Sequence, residues 1–314
     1  MNRVIIPDYD LLVITGPTAS GKTSLAAAVA CRIGAEIISA DSRQVYRGMD
    51  LGTGKDLDDY HVGEKKVPYH LIDIAEPGYK YNVFEYQRDF KKVYNSLKKR
   101  SVFPVVCGGS GMYIDSVITA YRLIEVPPDS GLRCKLEKKS MEELRGILSS
   151  YRKLHNVSDI DTKKRLIRAI EIEHSSKSAR KKDIDFPEIR SLIIGVKSER
   201  EVRRKRITER LHQRLATGLV EEVRQLIERG ICTETLLYYG LEYKYVALYL
   251  SGKIKYEKMV ADLETAIHQF SKRQMTWFRS MERKGIKISW LDSELPMGEK
   301  VKFVMELLNP PPTP

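Results

Sequence analysis

The residues best suited to do chemistry in this chain lie in the octapeptide Gly16-Pro-Thr-Ala-Ser-Gly-Lys-Thr23, directly after the apolar run 11–15. It fits the pattern G-x-x-x-x-G-K-[ST], and a helical sequence follows it, so strand, glycine loop and helix start stand in the order a phosphate cradle needs. Gly16 and Gly21 let the backbone wrap closely, and Pro17, Thr18, Ala19 and Ser20 carry the intervening turn. The new helix adds the positive end of its dipole. Lys22 brings a point charge to the phosphates, and Thr23 offers a hydroxyl to a bound Mg²⁺. The stretch therefore predicts binding of a di- or triphosphate group.

Four other stretches bear on such a ligand. Asp41 follows the second apolar run and heads Asp41-Ser-Arg-Gln-Val-Tyr46. Beside a phosphate site it can bind Mg²⁺ or take a proton from a nucleophile, and it can equally serve as a helix N-cap. Gly108-Gly-Ser-Gly-Met-Tyr113 follows another apolar run, so no aspartate closes that strand where an energy-coupling ATPase holds its metal. The loop thus suits a leaving group better than a fuel. Arg203, Arg206, Arg210 and Arg214 recur at three- and four-residue steps on one helical face, of which one is expected to turn inward and neutralise charge at the phosphates. Lys272-Arg-Gln-Met-Thr-Trp-Phe-Arg279 interleaves cations with Trp277 and Phe278, a pattern for phosphate contacts in which core packing is favoured for the two rings.

These residues need a frame. Runs at 11–15, 36–40, 69–74 and 102–107 are short, apolar and β-branched, with a helical pattern at 84–100 between the last two, which predicts a parallel α/β sheet with helices on its faces. A fifth run, 191–196, arrives only after a charged, helical stretch, as at 141–153 and 163–174. The expected organisation is an α/β core of residues 1–120 and 190–308, an inserted all-helical domain at 121–189 with an exposed exit loop at 174–183, and a disordered tail at 309–314. Ligands of an open parallel sheet gather beyond the carboxyl ends of its strands, which is where the phosphate loop, Asp41 and Ser110 all fall.

The chain has 314 residues, 42% of them hydrophobic, enough for a sizeable core. Its 54 Lys and Arg against 42 Asp and Glu leave a net charge of +12, which points to a polyanionic partner. Cys31, Cys107, Cys134 and Cys232 lie far apart, so neither a zinc site nor a disulfide framework is expected and a reducing cytoplasm is the natural compartment. The first ten residues lack the apolar run of a signal peptide, and no stretch is long enough to span a bilayer, so no membrane partner is expected.

Taken together the motifs resemble those of the tRNA dimethylallyltransferase (tRNA isopentenyltransferase) family. The resemblance rests on 16–23, on Asp-Ser-Arg-Gln-Val-Tyr-Arg-Gly-Met-Asp at 41–50, Gly-Thr-Gly-Lys at 52–55 and Gly-Gly-Ser-Gly-Met-Tyr at 108–113. It continues with Lys-Arg-Leu-Ile-Arg-Ala-Ile-Glu at 164–171, Arg-Ile-Thr-Glu-Arg at 206–210 and the segment 272–279. It implies a P-loop NTPase-like fold and transfer of a dimethylallyl group from dimethylallyl diphosphate to N6 of the adenosine just 3′ of the anticodon (position 37), in tRNAs reading codons that begin with U. Mg²⁺ would be the cofactor and the anticodon stem-loop of tRNA the partner of a monomer. By the same resemblance Thr18 and Arg210 stabilise the departing pyrophosphate, while Asp41 orients the amine and accepts its proton. Asp41, Ser42, Arg43 and Gln44 would meet the extruded base. Ser110, Arg133 and Gly240, the run Lys164, Arg165, Leu166, Ile167 and Arg168, and the run Lys272, Arg273, Gln274, Met275, Thr276, Trp277, Phe278 and Arg279 match further tRNA-contact positions, and the inserted helices would close on the anticodon arm.

Two positions depart from the family pattern. Ser110 stands where threonine is usual, which keeps the hydroxyl. Gly240-Leu-Glu-Tyr243 replaces a Gly-Tyr-Arg segment, putting an acid where a base is expected and that tRNA contact in doubt. The alternative activity is the same transfer to free AMP, ADP or ATP, and a P-loop kinase or a nucleotide-switched RNA-binding protein are rivals of other classes.

Overall fold

The computed structural model describes residues 9–119, 123, 125–151, 161–178 and 186–309. The tail expected at 309–314 therefore lies outside the described residues except for Asn309. By compactness the chain divides into one unit of Met1–Tyr121 with Glu188–Pro314 and a second of Arg122–Pro187.

The first unit is built on six parallel strands. They are β1 (Leu11–Thr15), β2 (Glu36–Ser39), β5 (Tyr69–His70), β6 (Pro104–Gly108), β7 (Ser191–Lys197) and β8 (Ser289–Asp292), in the spatial order β5-β2-β6-β1-β7-β8. β1 lies at the centre with every residue buried, which is why it reads as an unbroken apolar run rather than an alternating one. Helix α1 (Lys22–Ile33) starts at the phosphate loop and ends on Gly34 in the left-handed region, where a side chain would be strained. It packs Leu25, Ala26, Val29 and Ala30 on the sheet together with Val301, Val304 and Leu308 of the last helix. Between β2 and β5 a small antiparallel hairpin, β3 (His61–Val62) with β4 (Lys65–Lys66), lies outside the main sheet. Helix α2 (Val83–Lys99) opens with a reciprocal capping box, Asn82 accepting from the Glu85 N–H and Glu85 from that of Asn82, and helix α3 (Gly111–Ile118) follows β6.

In the second unit, α4 (Ser130–Glu137), α5 (Met141–Tyr151) and α6 (Lys163–Ser178) enclose their own apolar cluster of Leu136, Leu144, Leu148, Leu166, Ile167 and Ile170. After β7 the chain is helical: α7 (Arg200–Ala216), α8 (Leu219–Glu228), α9 (Thr233–Leu236), α10 (Leu241–Leu250) and α11 (Tyr256–Arg283). Strand β8 and α12 (Met297–Leu308) complete it. Among the described residues no helix is long and apolar enough to cross a membrane.

Several local expectations are corrected. The run 69–74 gives a strand of only two residues, because Leu71 and Asp73 take positive φ and turn the chain. Residues 174–178 continue α6 instead of forming a loop, while 179–183 lie outside the described residues. The hairpin and β8 carry too little apolar sequence to announce themselves: β8 is Ser-Trp-Leu-Asp, with only Leu291 buried.

Candidate diphosphate and nucleoside site

At the carboxyl end of β1 the phosphate loop is forced tight. Gly16 has φ 158°, and a Cβ there would lie 2.4 Å from the Val196 carbonyl oxygen and 2.8 Å from Ser20 Oγ, so only glycine fits. Gly21 takes φ 75° and hands the chain to α1. The buried Ser20 hydroxyl has no hydrogen-bond partner among the described residues. Burial lowers the pKa of Lys22, whose ammonium also feels the carboxylates of Asp41 and Asp56, the Cys107 thiol and the Arg210 guanidinium. Lys22 thus feels the charges of Asp41 and Arg210, residues up to 188 positions away in sequence.

Neighbouring strand ends are tied to this loop. Thr15 Oγ1 donates to the Gly108 carbonyl at 2.9 Å. Gly108 sits so close to β2 that a Cβ would lie 2.2 Å from the Ala40 carbonyl oxygen. The Ser42 N–H donates to Ser110 Oγ at 3.0 Å, and Ser110 N–H to the Ala40 carbonyl at 3.2 Å. Asp41 accepts from the Arg43 N–H at 2.9 Å through Oδ1, a turn that fixes its carboxylate. Gln44 donates to the Gly54 carbonyl at 3.0 Å, and Ser39 Oγ donates to Gln44 Oε1 at 3.1 Å.

From α7, Arg210 and Arg214 both pair with Asp56, the second at 3.5 Å, so two of the four arginines turn inward where one was expected. Burial lowers the pKa of Arg214, and Arg210 beside it acts in the same direction. Arg206 binds Ser293 and Glu294 instead. Thr18, Ala19, Arg210, Arg214 and Glu242 line one small cavity with Ile207, Leu211 and Ile267. The divergent Glu242 thus faces the arginine pair, and burial raises its pKa.

Gln274, expected among the tRNA-contact positions, is tied into the protein itself. Its side chain is buried, accepts from the Thr18 N–H at 2.9 Å and donates to the Gly109 carbonyl at 3.0 Å. It is a strut between the phosphate loop and the turn after β6. Phe278, Leu166 and Ile167 are buried too and pack their helices. Phe278 meets Trp290 edge-on at 6.1 Å, whereas the half-buried Trp277 lies over Gly111. Lys272, Arg273, Thr276 and Arg279 remain exposed on α11, as do Lys164 and Arg165 on α6, and Met275 is half-buried. Arg133 is held by Glu171 through Nε at 2.6 Å and Nη2 at 2.8 Å, and Arg168 joins the same carboxylate at 3.2 Å. Gly240 takes φ 140° before α10. Two residues escaped the sequence reading: Glu222 accepts from the N–H groups of Asp50, Leu51 and Gly52 and from Tyr243 Oη, and Lys55 is buried against Asp50, Asp73 and the Tyr46 carbonyl. Only the Gly-Thr-Gly-Lys motif hinted at the second.

Thr23 can serve a hard cation. Among the described residues no three His, Cys, Asp or Glu side chains cluster to hold a metal. A cation here would take most of its ligands from a diphosphate and water, which is how Mg²⁺ usually binds.

A parallel sheet with a glycine loop at its centre and an arginine-bearing helix beside it defines a P-loop NTPase-like α/β protein. A family model described as IPP transferase matches residues 44–281, and one described as isopentenyl transferase matches 9–72. A tRNA dimethylallyltransferase 2 of Bacteroides fragilis is 60% identical over 304 residues, 97% of this chain and 99% of the relative. A tRNA dimethylallyltransferase 1 of Parabacteroides distasonis is 56% identical over 301 residues, 96% and 98% of the two chains. The tRNA isopentenylpyrophosphate transferase structure of Bacillus halodurans is similar with a TM-score of 0.68 and 30% identity, covering 96% of this chain and 95% of that one. A eukaryotic dimethylallyltransferase acting on tRNA shares the fold, with a TM-score of 0.72 at 20% identity, 90% of this chain and 73% of that one. The chain belongs to the IPP transferase family.

Proposed function

We propose that this protein transfers the dimethylallyl group of dimethylallyl diphosphate to N6 of the adenosine 3′-adjacent to the anticodon (position 37) in tRNAs reading codons that begin with U. The observation that carries the reading is the cavity in which Arg210 and Arg214 of α7 face Thr18 and Ala19 of the glycine loop, with Asp41 fixed at the end of a neighbouring strand. Full-length similarity to the two named tRNA dimethylallyltransferases supports the nucleic-acid acceptor.

In this reading the loop amides, Lys22 and Ser20 bind the diphosphate, and Thr18 and Arg210 take up charge on its bridging oxygen as it leaves. The lone pair of N6 forms a bond to C1 of the prenyl chain, the C1–O bond breaks, and pyrophosphate departs with that electron pair. Asp41 accepts the proton released from N6. An exocyclic amine is a weak nucleophile, so positioning and leaving-group electrostatics supply most of the acceleration. The adenine must be unstacked before it can react, with Ser42, Arg43 and Gln44 beside it. Thr23 would hold Mg²⁺, which adds positive charge to the diphosphate when bound. Ser110, Gly240 and the exposed cations of α6 and α11 would contact the anticodon stem-loop, with the protein acting as a monomer in the cytoplasm.

Incubation with labelled dimethylallyl diphosphate and either tRNA or AMP tests this directly, and label in tRNA is expected. Label entering AMP alone would overturn it. Asp41→Asn should lower kcat by about 10²–10⁴-fold with little change in dimethylallyl diphosphate affinity.

A further inference from the structure

Tyr238 lies just before α10 and is more than a third exposed, and two cations hold to its ring. The Arg43 guanidinium is 5.0 Å from the ring centroid and the Lys80 ammonium 5.9 Å. Neither cation has a carboxylate partner within ion-pair distance among the described residues. They come from segments far apart in sequence, and the buried Tyr239 brings those segments together. Its ring packs edge-on against Tyr46 at 4.6 Å, and its hydroxyl accepts from the Gly78 N–H and donates to the Tyr79 carbonyl at 3.0 Å. Tyr46 in turn accepts from the Tyr81 N–H at 3.1 Å. Residues 78–81, which carry Lys80, are thereby pinned against the stretch that carries Arg43. The backbone N–H of Arg43 also holds the Asp41 carboxylate.

An aromatic ring with two cations orders flexible side chains before a ligand arrives, which cuts the entropy of immobilising them on an anion. We infer that Lys80 and Arg43, gathered on Tyr238, form a clamp for a backbone phosphate flanking the reacting adenosine. The inference rests on the RNA-acceptor reading of the neighbouring site and adds two residues to it, Lys80 and Tyr238. The clamp reads no base. Its role is to fix the strand on one side of the unstacked nucleotide, so that N6 stays in register with Asp41.

The test measures binding of a synthetic anticodon-arm RNA hairpin by fluorescence anisotropy across a salt series. Lys80→Ala should weaken binding several-fold and lower the magnitude of the log Kd–log salt slope by about 0.7, the share of one single-strand phosphate. Lys80→Arg should restore both, and the KM for dimethylallyl diphosphate should stay within twofold of the parent in either variant. Hairpins with a neutral methylphosphonate on the 5′ or the 3′ side of that adenosine locate the contact. One of them should bind the parent as weakly as Lys80→Ala binds the natural hairpin, and combining the two changes should cost no more than either alone. Unchanged affinity and slope in Lys80→Ala would overturn the clamp, and so would fully additive losses with both methylphosphonates. Failure of the parent protein to prenylate any RNA would sink the acceptor reading instead, while the binding series would still decide whether Lys80 meets a phosphate.

Discussion

Lys22 carries a conflict between stability and function. Burial favours its neutral form, so the folded state binds its proton less tightly than the unfolded chain does. The unfolded state holds more protons wherever the pH lies between the two values, and below the lowered one the fold bears the cost of a half-buried charge. Lys22→Met is therefore expected to raise the melting temperature at neutral pH, with the gain fading as pH rises towards the ordinary lysine range. The same variant should lose most of its affinity for dimethylallyl diphosphate in equilibrium binding. A variant that melts lower at pH 7 would show that Asp41 and Asp56 already compensate the charge. A diphosphate brings compensation of its own, so its binding should pull the lysine pKa back up.

At the scale of elements the site depends on struts that bear no reactive group. Gln274 of α11 satisfies the Thr18 N–H and the Gly109 carbonyl together. Truncation leaves a buried donor and acceptor bare, at about 1–3 kcal/mol for each unsatisfied group. Gln274→Ala should lower both the thermal midpoint and kcat, with a smaller effect on tRNA affinity measured at the same salt. A loss of tRNA affinity alone would return this residue to the RNA-contact set. The stripe Met259, Leu263, Ile267 and Phe270 marks α11 as an amphipathic helix, and the first three are buried while Phe270 is exposed. Its basic-aromatic segment was legible only as a mixture, because a helix turns every third or fourth residue inward and sequence does not state the phase to one residue. That is why Gln274 and Phe278 fell inside while Lys272, Arg273 and Arg279 stayed out. The two-residue β5 shows a different limit, since positive φ at Leu71 and Asp73 leaves no mark in residue type.

On the scale of the whole molecule, the second unit holds its own charge centre. The Glu171 carboxyl is buried, which raises its pKa, yet hydrogen bonds from Arg133, the Asp129 N–H and Arg168 outweigh this and hold it below the usual range. A depressed carboxylate contributes stability that is present above its unfolded pKa and lost as the pH falls through the folded value. Glu171→Gln should therefore destabilise this unit by roughly 1.5–3 kcal/mol at neutral pH, and the difference from the parent should shrink as the pH falls below about 4. Circular dichroism melts at a series of pH values would measure it, and a pH-independent difference would count against the charge assignment. The net charge of +12 is consistent with a polyanionic acceptor, although Arg133 and Arg168 are committed to Glu171 inside the protein.

The amino-acid sequence alone determined the phosphate loop, the central strands and the order of the motifs, because each rests on short-range rules: glycine at strained turns, unbroken apolar runs for a sheet covered on both faces, and fixed spacing on a helix. Tertiary structure alone decided which side chains share a site. Arg210, Asp56 and Glu242 come to the loop across long loop closures, and their burial and charges depend on neighbours that no local pattern encodes. The same packing turned Gln274 inward as a strut and set Lys80 beside Arg43 on one tyrosine ring.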